Sequence, residues 1–200
     1  MTGNKLIGIV ACGGQSSRMG IDKGRLIYHG QEQRYRVYHM LAKICDEVYI
    51  SCNARQAVDL PAGFNLIVDN PSYPEIGPMA GLLSAFDTVQ HADVLLLGCD
   101  YPYLDEKELR LFLAAIDRSG PATAFFNGAA AVYEPLLAYY GSQAAASIRT
   151  GFAEGQYSLQ QWLYRNKAGR YLPQNRDSLK SIDTPAAAAA AQRHFAAEHK

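Results

Sequence analysis

Lys5-Leu6-Ile7-Gly8-Ile9-Val10-Ala11 runs directly into Cys12-Gly13-Gly14-Gln15-Ser16-Ser17-Arg18-Met19-Gly20-Ile21-Asp22-Lys23, and this junction decides the fold. The first part is a β-rich apolar run, as expected for a strand buried on both faces. Glycines end it. Beyond the loop, residues 32–45 carry Val37, Leu41 and Ile44 at helical spacing. Glu47–Cys52 (EVYISC) and residues 64–68 read as the next strands, closed by Asn53 and by Asp69-Asn70-Pro71. Gly77-Pro78 opens a helix with Met79, Leu82, Leu83 and Phe86 on its apolar positions. Asp93–Gly98 (DVLLLG) is the clearest strand of all, and Asp100 follows it closely.

Downstream, Asp105 is placed to cap a helix running through Ile116, with Glu106 and Glu108 in its first turn. Residues 122–126 and 129–133 read as two strands, and Pro135 as the start of a helix. Ser158 caps a short helix through Tyr164, and residues 179–182 read as a last short strand. Pro185 sits in the first turn of an alanine-rich terminal helix. Strands alternating with helices imply an α/β fold with a mostly parallel sheet covered on both faces.

The 200 residues suit one domain, and 19 basic residues balance 19 acidic ones. That cancellation gives no broad attraction to nucleic acid or to an anionic membrane. Cys12, Cys45, Cys52 and Cys99 form no C-x-x-C pair and lie within apolar runs, so they are expected as buried, reduced thiols. The apolar run ending at Cys12 is too short for a signal peptide, and no run approaches membrane-spanning length, so a cytoplasmic location is expected.

In open parallel sheets, ligands bind beyond the carboxyl ends of the strands, at a topological switch point. The strand ends here deliver Gly13 and Gly14 with Arg18 and Lys23, then Asn53, Asp69, Asp100, and finally Asp183-Thr184. Unobstructed glycine N–H groups with two cations can cradle a triphosphate. Taken alone, the loop is equally compatible with a plain strand-to-helix turn. Its spacing fits neither G-x-x-x-x-G-K-[ST] nor G-x-G-x-x-G. Asp105 is the better helix cap, which leaves Asp100 free as a hard oxygen ligand for Mg²⁺. Asn53 and Asp69 are either turn formers or readers of a base and its sugar; a carboxylate at 69 could accept from the N–H groups of guanine.

Residues 11–23 resemble the L-A-G-G-x-S-x-R-M-G-x-D-K signature of molybdenum cofactor guanylyltransferases and their nucleotidyltransferase relatives. Gly77-Pro78-Met79-Ala80-Gly81 is similar to the family's G-P-L-A-G, and Cys99-Asp100-Tyr101-Pro102-Tyr103-Leu104 to its C-D-x-P-x-L turn. Glu134-Pro135-Leu136-Leu137-Ala138-Tyr139-Tyr140, then Gly155 with Ser158-Leu159, then Ser181-Ile182-Asp183-Thr184-Pro185 follow in the family's order. The resemblance implies a three-layer Rossmann-like fold of the nucleotide-diphospho-sugar transferase type, with a mixed, mostly parallel sheet in one domain over residues 1–200. It implies transfer of GMP from MgGTP to the terminal phosphate of molybdenum-molybdopterin. Ala11, Cys12, Gly13 and Gly14 would contact the nucleotide and Lys23 its phosphates. Asn53 and Asp69 would recognise the nucleotide, and Asp100 would hold Mg²⁺.

Arg18, Lys23 and Asp100 would carry the catalysis. Asp183 is a candidate second metal carboxylate, and Ser181 and Asp183 stand where the family has two acceptor-side asparagines. That departure leaves CMP transfer to molybdopterin, or nucleotidyl transfer to a sugar phosphate, as alternatives. GTP, the molybdopterin acceptor and molybdoenzyme maturation proteins are the implied partners of a monomer or weak homo-oligomer.

Overall fold

The computed structural model describes residues 4–12, 22–73 and 76–198. Residues 13–21, with the expected phosphate-cradle positions Gly13, Gly14 and Arg18, lie outside the described residues. Among the described residues seven strands form one sheet: β1 (Leu6–Ala11), β2 (Glu47–Cys52), β3 (Leu66–Val68), β4 (Asp93–Gly98), β5 (Ala122–Asn127), β6 (Val132–Tyr140) and β7 (Gly169–Tyr171). Their spatial order is β3-β2-β1-β4-β6-β5-β7. β1 is parallel to β2 and β4, and β2 to β3; β6 lies antiparallel between β4 and β5. The fold is the expected α/β one with a mixed, mostly parallel sheet.

The chain leaves β1 toward β2 on one side and returns to β4 on the other. The switch point therefore falls between β1 and β4, where Ala11 pairs with Gly98. Ligands of open α/β sheets bind outside the carboxyl ends at such a crevice.

The helices are α1 (Gln33–Ala42), α2 (Ala54–Val58), α3 (Pro78–Thr88), α4 (Glu106–Ala115), α5 (Ala144–Ala153), α6 (Leu159–Arg165) and α7 (Pro185–Glu198), with 3-10 turns at Lys23–Arg25 and Arg176–Leu179. The strands' two faces bury separate cores. Ile7, Ile9, Val94 and Leu96 pack with Leu82, Leu83 and Phe86 of α3 on one face. Val10, Ile50, Leu95 and Leu97 pack with Leu41 of α1 and Phe112 of α4 on the other. A smaller cluster of Tyr28, Ile182, Ala188, Ala191 and Phe195 seats α7 against the segment after Lys23.

Three expectations need correcting. Pro135 starts no helix; it lies inside β6. The β5–β6 register passes from Ala124↔Ala138 to Phe125↔Glu134, so Pro135 falls in a bulge where its missing N–H costs no ladder bond. The following Leu136-Leu137-Ala138-Tyr139-Tyr140 is a continuous apolar run, which periodicity cannot assign between strand and helix. Residues 179–182 form no strand. Leu179 closes the 3-10 turn at Arg176–Leu179, residues 180–182 run on from it, and Ile182 N–H donates to the Asp100 carbonyl at 2.8 Å. Residues 129–131 are a turn, with Ala131 at φ 56°, and the strand begins only at Val132. β7, α2 and α5 carry no expectation from the sequence.

Candidate nucleotide site

The carboxyl edge of the sheet brings Asp100, Lys23 and Asp183 together from widely separated parts of the chain. Lys23 opens its 3-10 turn because Asp22 caps it, Oδ1 accepting from Gly24 N–H at 2.9 Å. Its Nζ donates to Asp183 Oδ1 at 2.5 Å and lies 3.9 Å from Asp100 Oδ2. Asp183 reaches this point because Ile182 is buried in the α7 cluster and tied to the Asp100 backbone. Ser181 Oγ donates to Asp183 Oδ2 at 2.7 Å, so the two candidate acceptor-side residues form one hydrogen-bonded unit.

Asp100 has room for its carboxylate only because residue 98 is glycine. A Cβ there would stand 2.5 Å from Asp100 Oδ1 and 3.2 Å from Leu136 Cβ. The Asp100 pKa is raised to about 6, chiefly by burial and further by Asp183 and Glu134, with the Lys23 ammonium opposing the rise. Glu134 accepts from the buried Tyr101 hydroxyl at 2.9 Å, and its own pKa is raised by burial and by Asp183. Among the described residues two carboxylates, Asp100 and Asp183, thus share one lysine, with Glu134 close enough to Asp183 to feel its charge.

The donor set suits Mg²⁺. Among the described residues no three His, Cys, Asp or Glu side chains converge as a ready-made metal cage. Mg²⁺ usually takes one or two carboxylates and completes its shell with phosphate oxygens and water. Asp100 and Asp183, already facing a common cation, meet that requirement.

The opposite side of the β1 end is built by β2 and β3. Asn53 caps α2 in a reciprocal box: its side chain accepts from Gln56 N–H at 3.0 Å, and Gln56 Oε1 accepts from Asn53 N–H at 3.1 Å. The Asn53 side-chain oxygen is therefore engaged in its own helix. Gln56 extends the box, its Nε2 donating to the Cys12 carbonyl at 3.1 Å and to Asp22 Oδ2 at 2.9 Å. It ties together Cys12 and Asp22, the described residues on either side of positions 13–21. The N-x-x-Q spacing was visible in the sequence; its long-range partners were not.

Asp69 follows β3, its N–H held by the Cys52 carbonyl at 3.0 Å. Its Oδ1 is buried with no hydrogen-bond partner among the described residues. Burial raises its pKa and the Ser51 hydroxyl opposes that rise. Gly81 of α3 keeps the space open, since a Cβ there would meet Ser51 Oγ at 2.8 Å and approach Asp69 Oδ1 at 3.8 Å. A buried acceptor left unpaired costs about 1–3 kcal/mol, so an N–H donor brought to Oδ1 would be stabilised there. Ala11 and Cys12, both half-buried, stand at the carboxyl end of β1 beside Gly98 and Cys99.

A β1/β4 switch point, a carboxylate pair on a lysine and, at the end of β3, an acceptor unpaired among the described residues fit one class, an α/β nucleotidyltransferase. Residues 8–170 match the MobA-like NTP transferase domain, and the chain belongs to that family. The molybdenum cofactor guanylyltransferase of Pseudomonas entomophila (strain L48) is 28% identical over 158 residues, covering 78% of this chain and 80% of that protein. The molybdenum cofactor biosynthesis bifunctional protein of Synechocystis sp. is 31% identical over 136 residues, 68% of this chain but 39% of that longer protein. The crystal structure of molybdopterin-guanine dinucleotide biosynthesis protein A from Archaeoglobus fulgidus superposes with a TM-score of 0.78 at 20% identity. It covers 96% of this chain and 99% of that one, a likeness of fold. Among the described residues no helix is long and apolar enough to cross a membrane.

Proposed function

We propose that this nucleotidyltransferase moves GMP from MgGTP onto the terminal phosphate of molybdenum-molybdopterin, giving molybdopterin guanine dinucleotide and pyrophosphate in the cytoplasm. The observation that carries the reading is the Asp100–Lys23–Asp183 cluster at the β1/β4 switch point. The unpaired Asp69 Oδ1 supports guanine as the base, because guanine offers ring and exocyclic N–H donors. The name of the Pseudomonas relative supports the acceptor.

In this scheme an oxygen of the acceptor phosphate attacks the α-phosphorus in line as pyrophosphate departs. The nucleophile is already ionised, so no general base is required. The protein's work is positioning and charge stabilisation. Lys23 places its ammonium against the phosphates, Arg18 adds a second cation, and N–H groups of Gly13 and Gly14 hold the leaving pyrophosphate. Gln56 fixes the Cys12 carbonyl and Asp22, the residues that flank these glycines and Arg18 in the sequence. Ser181 and Asp183 face the acceptor side. Asp100, with Asp183, would hold the Mg²⁺, which supplies charge neutralisation on the phosphates when bound.

The test is pyrophosphate release with GTP, CTP and UTP, each offered molybdenum-loaded molybdopterin or a sugar phosphate. Release confined to GTP with molybdopterin supports the reading. Release with CTP alone assigns the chain to cytidylyl transfer, and release only with a sugar phosphate removes the molybdopterin acceptor.

A further inference from the structure

We propose that Cys12 and Cys99 are a dithiol pair that closes reversibly into a disulfide across the β1/β4 switch point, and that closure shuts the nucleotide site. The two residues lie one step beyond the Ala11↔Gly98 pair of the parallel ladder, and Cys99 N–H donates to the Ala11 carbonyl at 3.2 Å. Their Sγ atoms are 3.1 Å apart. Neighbouring strands are spaced about 4.8 Å apart, within the roughly 4.4–6.8 Å between Cα atoms that a disulfide spans. Reaching a bond of about 2.05 Å then needs only a small rotation of the side chains, with the strands left where they are.

Access sets the order of events. Cys99 is buried at 3% exposure, whereas Cys12 is half-buried and meets an external reagent first. With a low-molecular-weight disulfide as oxidant, the Cys12 thiolate attacks one of its sulfurs and releases one thiolate. The Cys99 thiolate then attacks the Cys12 sulfur of the mixed disulfide, forming the Cys12–Cys99 bond and expelling the second thiolate. The two protons from the cysteines end on the two released thiols. Two electrons have passed to the oxidant.

A third thiol, Cys52, occupies the same level on the other side of β1, since Ala11 also pairs with Ser51. Cys52 is fully buried, and the sulfur contact in the structure selects Cys99 instead.

Closure acts on the site from both of its walls. Cys12 is the root of the glycine loop, and Cys99 immediately precedes Asp100. The Cys12 sulfur also lies under the Lys23 turn: a Cβ on Gly24 would approach it to 3.3 Å. Rotating the Cys12 sulfur toward Cys99 therefore changes the packing beneath the turn that presents Lys23, while β1 and β4 stay in place. This gating half rests on the function proposed above; the cross-link itself does not.

The full chain is equilibrated in glutathione and glutathione disulfide, trapped with an alkylating agent and mapped by mass spectrometry. The expected result is one Cys12–Cys99 linked peptide, with Cys45 and Cys52 alkylated, and its loss on reduction. Cys12→Ser should remove it, and Cys99→Ala should stop the reaction at a glutathione adduct on Cys12. A stable Cys12 adduct in the unsubstituted protein, a Cys12–Cys52 link, or four alkylated thiols would overturn the pair. On the same samples pyrophosphate release should fall at least about tenfold on oxidation and return with dithiothreitol. Equal rates for the cross-linked and reduced protein would overturn the gating.

Discussion

Lys23 and Asp183 stand 160 positions apart in the sequence, yet Lys23 Nζ lies 2.5 Å from Asp183 Oδ1. The contact links the first 3-10 turn to the segment before α7, with Asp100 on the lysine's other side. The lysine therefore offsets part of the charge of the carboxylate pair and, in the proposed function, meets the phosphates of the nucleotide. Lys23→Ala should lower the rate of nucleotidyl transfer at least ~10²-fold, the scale of losing one preorganised charge-stabilising group. Asp183→Asn should keep the fold and raise the Mg²⁺ concentration for half-maximal turnover severalfold. Metal titrations of turnover, with circular dichroism for the fold, check both.

Asp69→Asn should raise the KM for GTP by about 10–100-fold, because a hydrogen bond to a charged group contributes about 1.5–3 kcal/mol. The pH dependence has a definite sign. Burial lifts the Asp69 pKa above its ordinary 3.8, with Ser51 opposing. Between the ordinary and the raised value the folded state binds more protons than the unfolded one, so this group's contribution to stability falls as pH rises through that window. GTP affinity moves the other way, gained as the carboxyl ionises. The Asp69→Asn protein should lose this part of both dependences in chemical denaturation and nucleotide titration.

Gly98→Ala tests the space given to Asp100. The added methyl would lie 2.5 Å from Asp100 Oδ1, so either the carboxylate swings out of line or β4 shifts against Leu136. Overpacking of this kind costs about 1–3 kcal/mol. Activity should fall nearly as far as in an Asp100 variant, while the melting temperature drops by only a few degrees. Wild-type turnover with the alanine in place would show that the Asp100 position is not critical.

Glu108 tests how the site's last segment is held. It is buried in α4, where its carboxylate accepts from Tyr171 Oη at 2.6 Å, Gln174 N–H at 3.0 Å and Asn175 N–H at 2.9 Å. These bonds anchor β7 and the turn leading to Ser181 and Asp183. Glu108→Ala strands those donors and should destabilise the protein by at least about 2 kcal/mol. Denaturant titration measures the loss, and a raised KM for the acceptor phosphate should accompany it.

Much of this was legible where side-chain chemistry is local. The apolar runs of β1 and β4, each followed by small or acidic residues, marked the strand ends and put Asp100 among their candidate residues; the strand order that makes β1/β4 the switch point came from the structure. Asp183 was expected at the end of a strand. It reaches the same place without one, since a single hydrogen bond from Ile182 and burial in the α7 cluster suffice. Pro135 misled because a bulge removes the usual objection to proline in a strand. Gln56 and Glu108 were hidden for a different reason. Each looks like an ordinary helix-start residue, and what makes it matter is a partner 34 to 67 positions away. Spacing along one element carries no record of such partners.

The most direct test follows the label from α-phosphate-labelled GTP into product, with Mg²⁺ and molybdenum-loaded molybdopterin, for the wild-type protein and for Asp100→Ala. The wild-type protein should place labelled GMP on the molybdopterin phosphate and release pyrophosphate in equal amount. The folded Asp100→Ala protein should transfer none. Normal GMP transfer by that variant at ordinary Mg²⁺, or labelled product from CTP and none from GTP, would contradict the account.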